Sequence, residues 1–122
     1  RFLGLVSPER IPRLLAAMDI VVHASLREGL ARALVQSLLV GRPVVSYDVD
    51  GAREVVVTGE TGFLVPPKSI DELAAAVNRL AADPALRAQM GAAGRLRFAD
   101  QFRHERMVDE LHKLYDRLLA ER

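Results

Sequence analysis

Between Ser25 and Ser46 the sequence SLREGLARALVQSLLVGRPVVS reads as loop, helix, turn and buried strand with nothing spare between them. This run leaves few architectures open to the rest of the chain. Leu30, Leu34, Val35, Leu38 and Leu39 recur at helical spacing, Gly41 supplies a helix stop, and Pro43 opens the strand Val44-Val45. Apolar Ile20-Val21-Val22 precedes the run, so Glu28-Gly29 falls in a loop between a strand and a helix. Open parallel sheets bind their ligands there, outside the carboxyl ends of the strands. Unpaired N–H groups at the mouth of the helix attract an anion, with phosphate the expected one.

The flanking segments repeat the alternation. Phe2 to Val6 is a short apolar run, and Ser7-Pro8-Glu9 sets an N-cap and a first-turn proline ahead of a helix striped by Ile11, Leu14, Leu15 and Met18. Ile20 to His23 is the second strand. After Val44-Val45, the polar turn Asp48-Val49-Asp50-Gly51 leads to one or two helical turns over Ala52 to Val57. Gly59-Glu60-Thr61-Gly62 then turns into Phe63-Leu64-Val65, which Pro66-Pro67 ends, so four strands are expected. Ser69-Ile70-Asp71-Glu72 matches a capping box before a helix with Ile70, Leu73, Ala74, Val77, Leu80 and Ala81 on one face. Asp83-Pro84 starts another helix through Leu86 and Met90, weakened by Gly91 and Gly94, with a break expected across Phe98 to Phe102. From about Arg103 to the end, Met107, Leu111, Leu114 and Leu118 repeat at helical spacing beside Val108 and Tyr115, while Glu105, Asp109, Lys113 and Arg117 take the wet side. Continuously apolar strands alternating with helices predict an α/β class: a Rossmann-like parallel sheet with helices on both faces.

Composition narrows the function classes. Half of the 122 residues are apolar, which suits one domain spanning residues 1–122 with a real core. Seventeen basic and sixteen acidic side chains nearly cancel and aromatics are 5%, so nothing favours nucleic acid as a partner. The absence of cysteine removes disulfides and thiolate metal sites and fits a reducing, cytoplasmic location. No apolar stretch approaches the ~20 residues that cross a bilayer and no charged-then-apolar leader opens the chain, so a soluble protein is expected. Arg1-Phe2-Leu3-Gly4 starts in strand-like sequence without methionine, which reads as a piece of something longer.

Taken in order, Ser25-Leu26-Arg27-Glu28-Gly29, the helix to Gly41, Gly41-Arg42-Pro43-Val44-Val45, Asp50-Gly51-Ala52-Arg53-Glu54-Val55-Val56 and Thr61-Gly62-Phe63-Leu64-Val65-Pro66-Pro67 closely resemble the C-terminal domain of family 4 glycosyltransferases. The likeness runs from about Gly4 to Tyr115. It implies the C-terminal half of a GT-B fold, truncated so that the N-terminal domain and the first strands of this domain are absent. It also implies a retaining enzyme that transfers a sugar from a nucleotide-diphosphate donor, held mainly by the C-terminal domain, to an acceptor of unknown identity.

The family's signature is two glutamates separated by seven residues, and here the first is Glu28 and the second position is Gln36. The resemblance implies that Glu28 contacts the donor sugar near its reacting carbon, where a carboxylate stabilises a developing oxocarbenium ion. It implies that Gln36 bonds the ribose hydroxyls. An amide in place of a carboxylate there predicts retuned ribose binding. Eight positions along a helix make a little over two turns, so both residues are expected on one side. Gly29, Leu30, Ala31 and Arg32 are expected to offer backbone N–H groups to the diphosphate, with Gly29 allowing close approach; Leu5-Val6-Ser7 is implied along the nucleobase.

Asp48-Val49-Asp50 looks like an Asp-x-Asp metal motif, but its place before Gly51 favours a turn whose carboxylates cap a helix, and no metal or other cofactor is expected. His23, His104 and His112 lack ligand partners at metal spacing and read as core or surface histidines. No Gly-x-Ser-x-Gly or Ser/His/Asp set supports hydrolase chemistry. Two other readings compete: a non-catalytic nucleotide-sugar-binding or structural module, which Gln36 favours, and an unrelated flavodoxin-like regulator. Peripheral attachment to a membrane and association of copies stay open. With its neighbouring strands absent, Phe2 to Val6 is expected to cross over beside Ile20 to His23, to stay unstructured, or to be completed by another chain. The absent strands would also carry basic residues that grip the donor phosphates, so the piece alone is expected to bind weakly and not to turn over.

Overall fold

A computed structural model describes residues 1–121 of the chain. Its helices are α1 (Ile11–Ala16, entered through a 3-10 turn at Pro8–Arg10), α2 (Arg32–Leu39), α3 (Ala52–Val55), α4 (Ile70–Ala82), α5 (Pro84–Phe98) and α6 (His104–Ala120). Three strands, β1 (Val21–His23), β2 (Val44–Tyr47) and β3 (Gly62–Val65), form one sheet in the order β1-β2-β3. Both pairings are parallel, with Val22 opposite Val45 and Val45 opposite Phe63. The α/β class and the parallel sheet therefore stand as the sequence predicts.

β2 is the centre of the molecule because it is apolar on both sides. Val44 packs with Leu15, Leu34, Leu38, Val55 and Phe98 on one face, while Val45 and Tyr47 pack with Phe63, Leu80 and Met90 on the other. Leu34, Leu38 and Leu80 are fully buried, and each contributes about 1.5–3 kcal/mol relative to exposure. α2 ends in a Schellman motif: the Gly41 N–H donates to Leu38 O at 2.9 Å and the Arg42 N–H to Ser37 O at 2.9 Å, with Gly41 at φ 76°.

Four expectations need correction. The strand expected over Phe2 to Val6 does not form, because Gly4 stands at φ 65° and breaks the extended run in its middle; Phe2 and Leu5 are fully exposed. Three strands, not four, result. The glycines of α5 do not weaken it, since both are buried at close helix contacts: a Cβ on Gly94 would lie 2.6 Å from Leu38 Cδ2, and one on Gly91 would lie 2.0 Å from Gly41 O. α5 runs through Phe98, whose ring is buried and tilts against Phe102 at 5.7 Å, and the expected break does follow, over residues 99–103, before α6 begins at His104. The capping box at Ser69 closes side chain to side chain, Ser69 Oγ donating to Glu72 Oε1 at 3.0 Å, and neither group reaches a backbone N–H. Of the face expected on α4, Leu80 is buried with Ala76, whereas Ile70, the first residue of the helix, is 72% exposed.

α6 carries the apolar stripe expected of it, yet none of its described residues is buried. Arg122, the last residue of that expectation and of the domain range 1–122, lies outside the described residues. No helix among them is long and apolar enough to cross a membrane.

Candidate functional site

The site is built where β1 stops and α2 starts. β1 ends at His23, and the intervening loop is held from within by Ser25 Oγ donating to Arg27 O at 3.1 Å. Its far end is clamped by the turn after β2. The Glu28 N–H donates to Asp50 Oδ2 at 2.7 Å, and the Gly51 N–H donates to Gly29 O at 2.9 Å. Gly51 must be glycine for this approach, since a Cβ there would lie 2.3 Å from Gly29 O. Asp50 adopts φ 43°, a left-handed conformation that aspartate tolerates better than most residues.

The acidic turn thus has structural duties, but not the one expected of it. Neither carboxylate caps α3, whose N-cap is Gly51 with no side-chain bond. Asp48 pairs with Arg53 Nε at 2.5 Å, a hydrogen bond that pushes the guanidinium pKa further up, and Asp50 holds the Glu28 loop. Both roles couple residues that local sequence patterns do not join. Among the described residues, no group of three or more His, Cys, Asp or Glu side chains is placed to hold a metal ion.

α2 begins two residues later than the helical spacing from Leu30 predicts. Ala31, which is buried, is its N-cap, and Arg32 is its first residue. The first-turn amides of α2 without a backbone acceptor are therefore those of Arg32 and Ala33, since the Leu34 N–H already donates to Ala31 O at 3.0 Å, while Gly29 and Leu30 lie in the loop ahead. Because Glu28 also precedes the helix, helical spacing does not bring it to the side of Gln36; the pair that helical spacing aligns is Arg32 and Gln36. Those two side chains line one cleft with Val6, Pro8, Ile11, Leu15 and Ala33, a cavity of about 450 Å³. Of the three residues implied for a nucleobase, Val6 lines this cleft, Leu5 is fully exposed and Ser7 is the cap position of the 3-10 turn.

One neighbour escaped the sequence reading. His23 Nε2 lies 3.4 Å from Glu28 Oε1, with the imidazole 19% and the carboxylate 38% exposed. Four residues of loop between them hide the pairing from any periodicity; the only signal was that a strand ending in histidine runs toward the same loop. His104, by contrast, is a surface residue beside Glu105, as expected.

The clamp makes a prediction. Asp50→Ala removes the acceptor for the Glu28 N–H and leaves a Cβ residue in a left-handed conformation, so urea denaturation should show a loss of about 1–2 kcal/mol. Asp50→Gly should recover the backbone share. Equal losses in the two variants would mean that strain at this position is negligible.

Parallel strands covered by helices on both faces, with a loop and a helix mouth opening onto a cleft at their carboxyl edge, define a Rossmann-like α/β unit of the GT-B type. The chain matches the family model "Glycosyl transferases group 1" over residues 1–97, and it belongs to that family. It is 38% identical over 87 residues to alpha-D-kanosaminyltransferase of Streptomyces kanamyceticus, covering 71% of this chain and 22% of that protein. Among solved structures it is similar to Anabaena Alr3699/HepE in complex with UDP-glucose, with TM-score 0.88, 31% identity, and coverage of 95% of this chain and 32% of the other. It is also similar to the C-terminal domain of a group 1 glycosyl transferase, LpcC, from Francisella tularensis, with TM-score 0.70, 30% identity, and coverage of 77% and 49%. The chain therefore spans less than half the length of each of these proteins.

Proposed function

We propose that this chain is the donor-binding, C-terminal part of a retaining glycosyltransferase of family 4, which moves a sugar from a nucleotide diphosphate to an acceptor hydroxyl. The observation that carries the reading is the cleft shared by Arg32, Gln36 and Val6 at the mouth of α2, next to the loop that presents Glu28. The likeness to a HepE structure holding UDP-glucose supports the donor class, and the likeness to LpcC supports the C-terminal placement.

In this reading the nucleoside lies along Val6, Pro8 and Ile11, and Gln36 accepts from one ribose hydroxyl while donating to the other. The diphosphate meets the first-turn amides of α2 and the Arg32 guanidinium. As the bond from the anomeric carbon to the phosphate oxygen breaks, negative charge grows on the departing diphosphate and positive charge on the sugar. The helix mouth stabilises the first and Glu28 the second, while the acceptor hydroxyl bonds to the same face of that carbon and gives its proton to the departing phosphate oxygen. The reaction needs no metal in this account, and the engagement of Asp48 with Arg53 and of Asp50 with Glu28 supports that.

In this reading the apolar stripe of α6, with Met107, Leu111, Leu114 and Leu118 all more than a third exposed, is the surface that an acceptor-binding domain of the enzyme covers. Calorimetric titration of the full-length protein with UDP, GDP, ADP and dTDP tests the reading. One of them should bind, and silence from all four at millimolar concentration would refute it. A cleft that binds a nucleoside diphosphate but sustains no transfer would favour the non-catalytic module.

A further inference from the structure

We propose that His23 is a positioning residue for Glu28: its Nε2–H, delivered from the end of β1, holds the carboxylate in the orientation that meets the donor sugar. The proposal rests on the donor-site reading of Glu28 above. Three observations carry it. Nε2 is the imidazole nitrogen that faces Glu28 Oε1, at 3.4 Å. The other nitrogen, Nδ1, is buried and has no hydrogen-bond partner. A proton placed on Nδ1 would bury a donor with no acceptor, whereas a proton on Nε2 has a carboxylate oxygen 3.4 Å away, so the tautomer that serves Glu28 is the one the surroundings select. Third, the backbone of Glu28 is already fixed by its N–H bond to Asp50 Oδ2 at 2.7 Å.

With the main chain fixed, the remaining freedom of Glu28 is its own side-chain torsions. Among the described residues no other side chain pairs with its carboxylate. A glutamate left to rotate loses that freedom when the sugar arrives, and affinity for the sugar falls accordingly; one held beforehand does not. β1 is a suitable anchor because His23 is paired in register with Ser46 of the buried central strand, so the imidazole is carried by the sheet and not by the loop it organises.

The test separates the sugar from the nucleotide. In the full-length protein, affinities are measured for UDP, GDP, ADP and dTDP and for their glucose conjugates. His23→Phe keeps a flat ring and removes the donor, while His23→Gln keeps an N–H at a similar reach. For the nucleotide that binds, His23→Phe should lower affinity for the glucose conjugate about tenfold relative to the free diphosphate, and His23→Gln should restore most of it. An unchanged ratio in His23→Phe, or an equal loss for diphosphate and conjugate, overturns the proposal. Nitrogen-edited NMR of the wild-type imidazole gives an answer that needs no variant to fold: the proton is expected on Nε2, and a proton on Nδ1 refutes the assignment. If no diphosphate binds the wild-type protein, the donor-site reading itself fails; if diphosphates bind and only the His23 ratio is flat, this inference alone fails.

Discussion

Replacing Gly91 with alanine should cost about 3 kcal/mol of stability, at the top of the range for overpacking a well-filled core. The added Cβ would lie 2.0 Å from Gly41 O and 2.8 Å from Gly41 C, and these are main-chain atoms that cannot swing aside. Gly41 is itself committed, at φ 76°, to closing the end of α2. Relief therefore has to come from α5 moving away as a body, which opens the layer where Phe98 and Leu38 are buried. Gly94→Ala offers a graded comparison: its Cβ meets Leu38 Cδ2 at 2.6 Å, and a leucine side chain yields more readily than a carbonyl. In denaturant titrations, Gly91→Ala should shift the midpoint strongly without changing the slope, and Gly94→Ala should shift it less. A wild-type midpoint for Gly91→Ala would mean that α5 does not pack on the end of α2 in this way.

Glu28→Ala in the full-length protein should reduce turnover by roughly 100-fold or more, the scale of losing one preorganised electrostatic partner of a transition state. Stability should hardly change, because the bond that anchors the loop uses the Glu28 main-chain N–H and survives truncation of the side chain. Affinity for the free nucleoside diphosphate should also persist, since the cleft lining does not include Glu28. Full turnover by the variant would remove Glu28 from the chemistry. Loss of diphosphate affinity in parallel with turnover would place the carboxylate on the nucleotide and not on the sugar.

What the sequence made legible was what repeats locally. The valine pairs of β1 and β2, the helical spacing of Leu34 and Leu38, and the glycine stop at position 41 each carry their signal within a few residues. Contacts between distant segments did not show. Gly91 counts against a helix until the carbonyl of Gly41 is seen beneath it. Asp50 resembles half of a metal motif until its carboxylate is found on an amide 22 positions earlier. The start of α2 was misjudged because Leu30 fits the apolar stripe, whereas the clamp from Gly51 to Gly29 holds the chain out of helix until Ala31. Phe2 to Val6 has strand composition, but no strand lies beside it and Gly4 in its middle is left-handed, so of the outcomes open to it the unstructured one is found.

The most direct test of the whole account is a crystal structure of the full-length protein soaked with whichever of UDP, GDP, ADP or dTDP binds, as its glucose conjugate. The account places the diphosphate at the mouth of α2 beside Arg32, the nucleoside in the cleft between Val6 and Gln36, and the sugar against the carboxylate of Glu28. Density for the conjugate on a surface that touches none of these residues would contradict it.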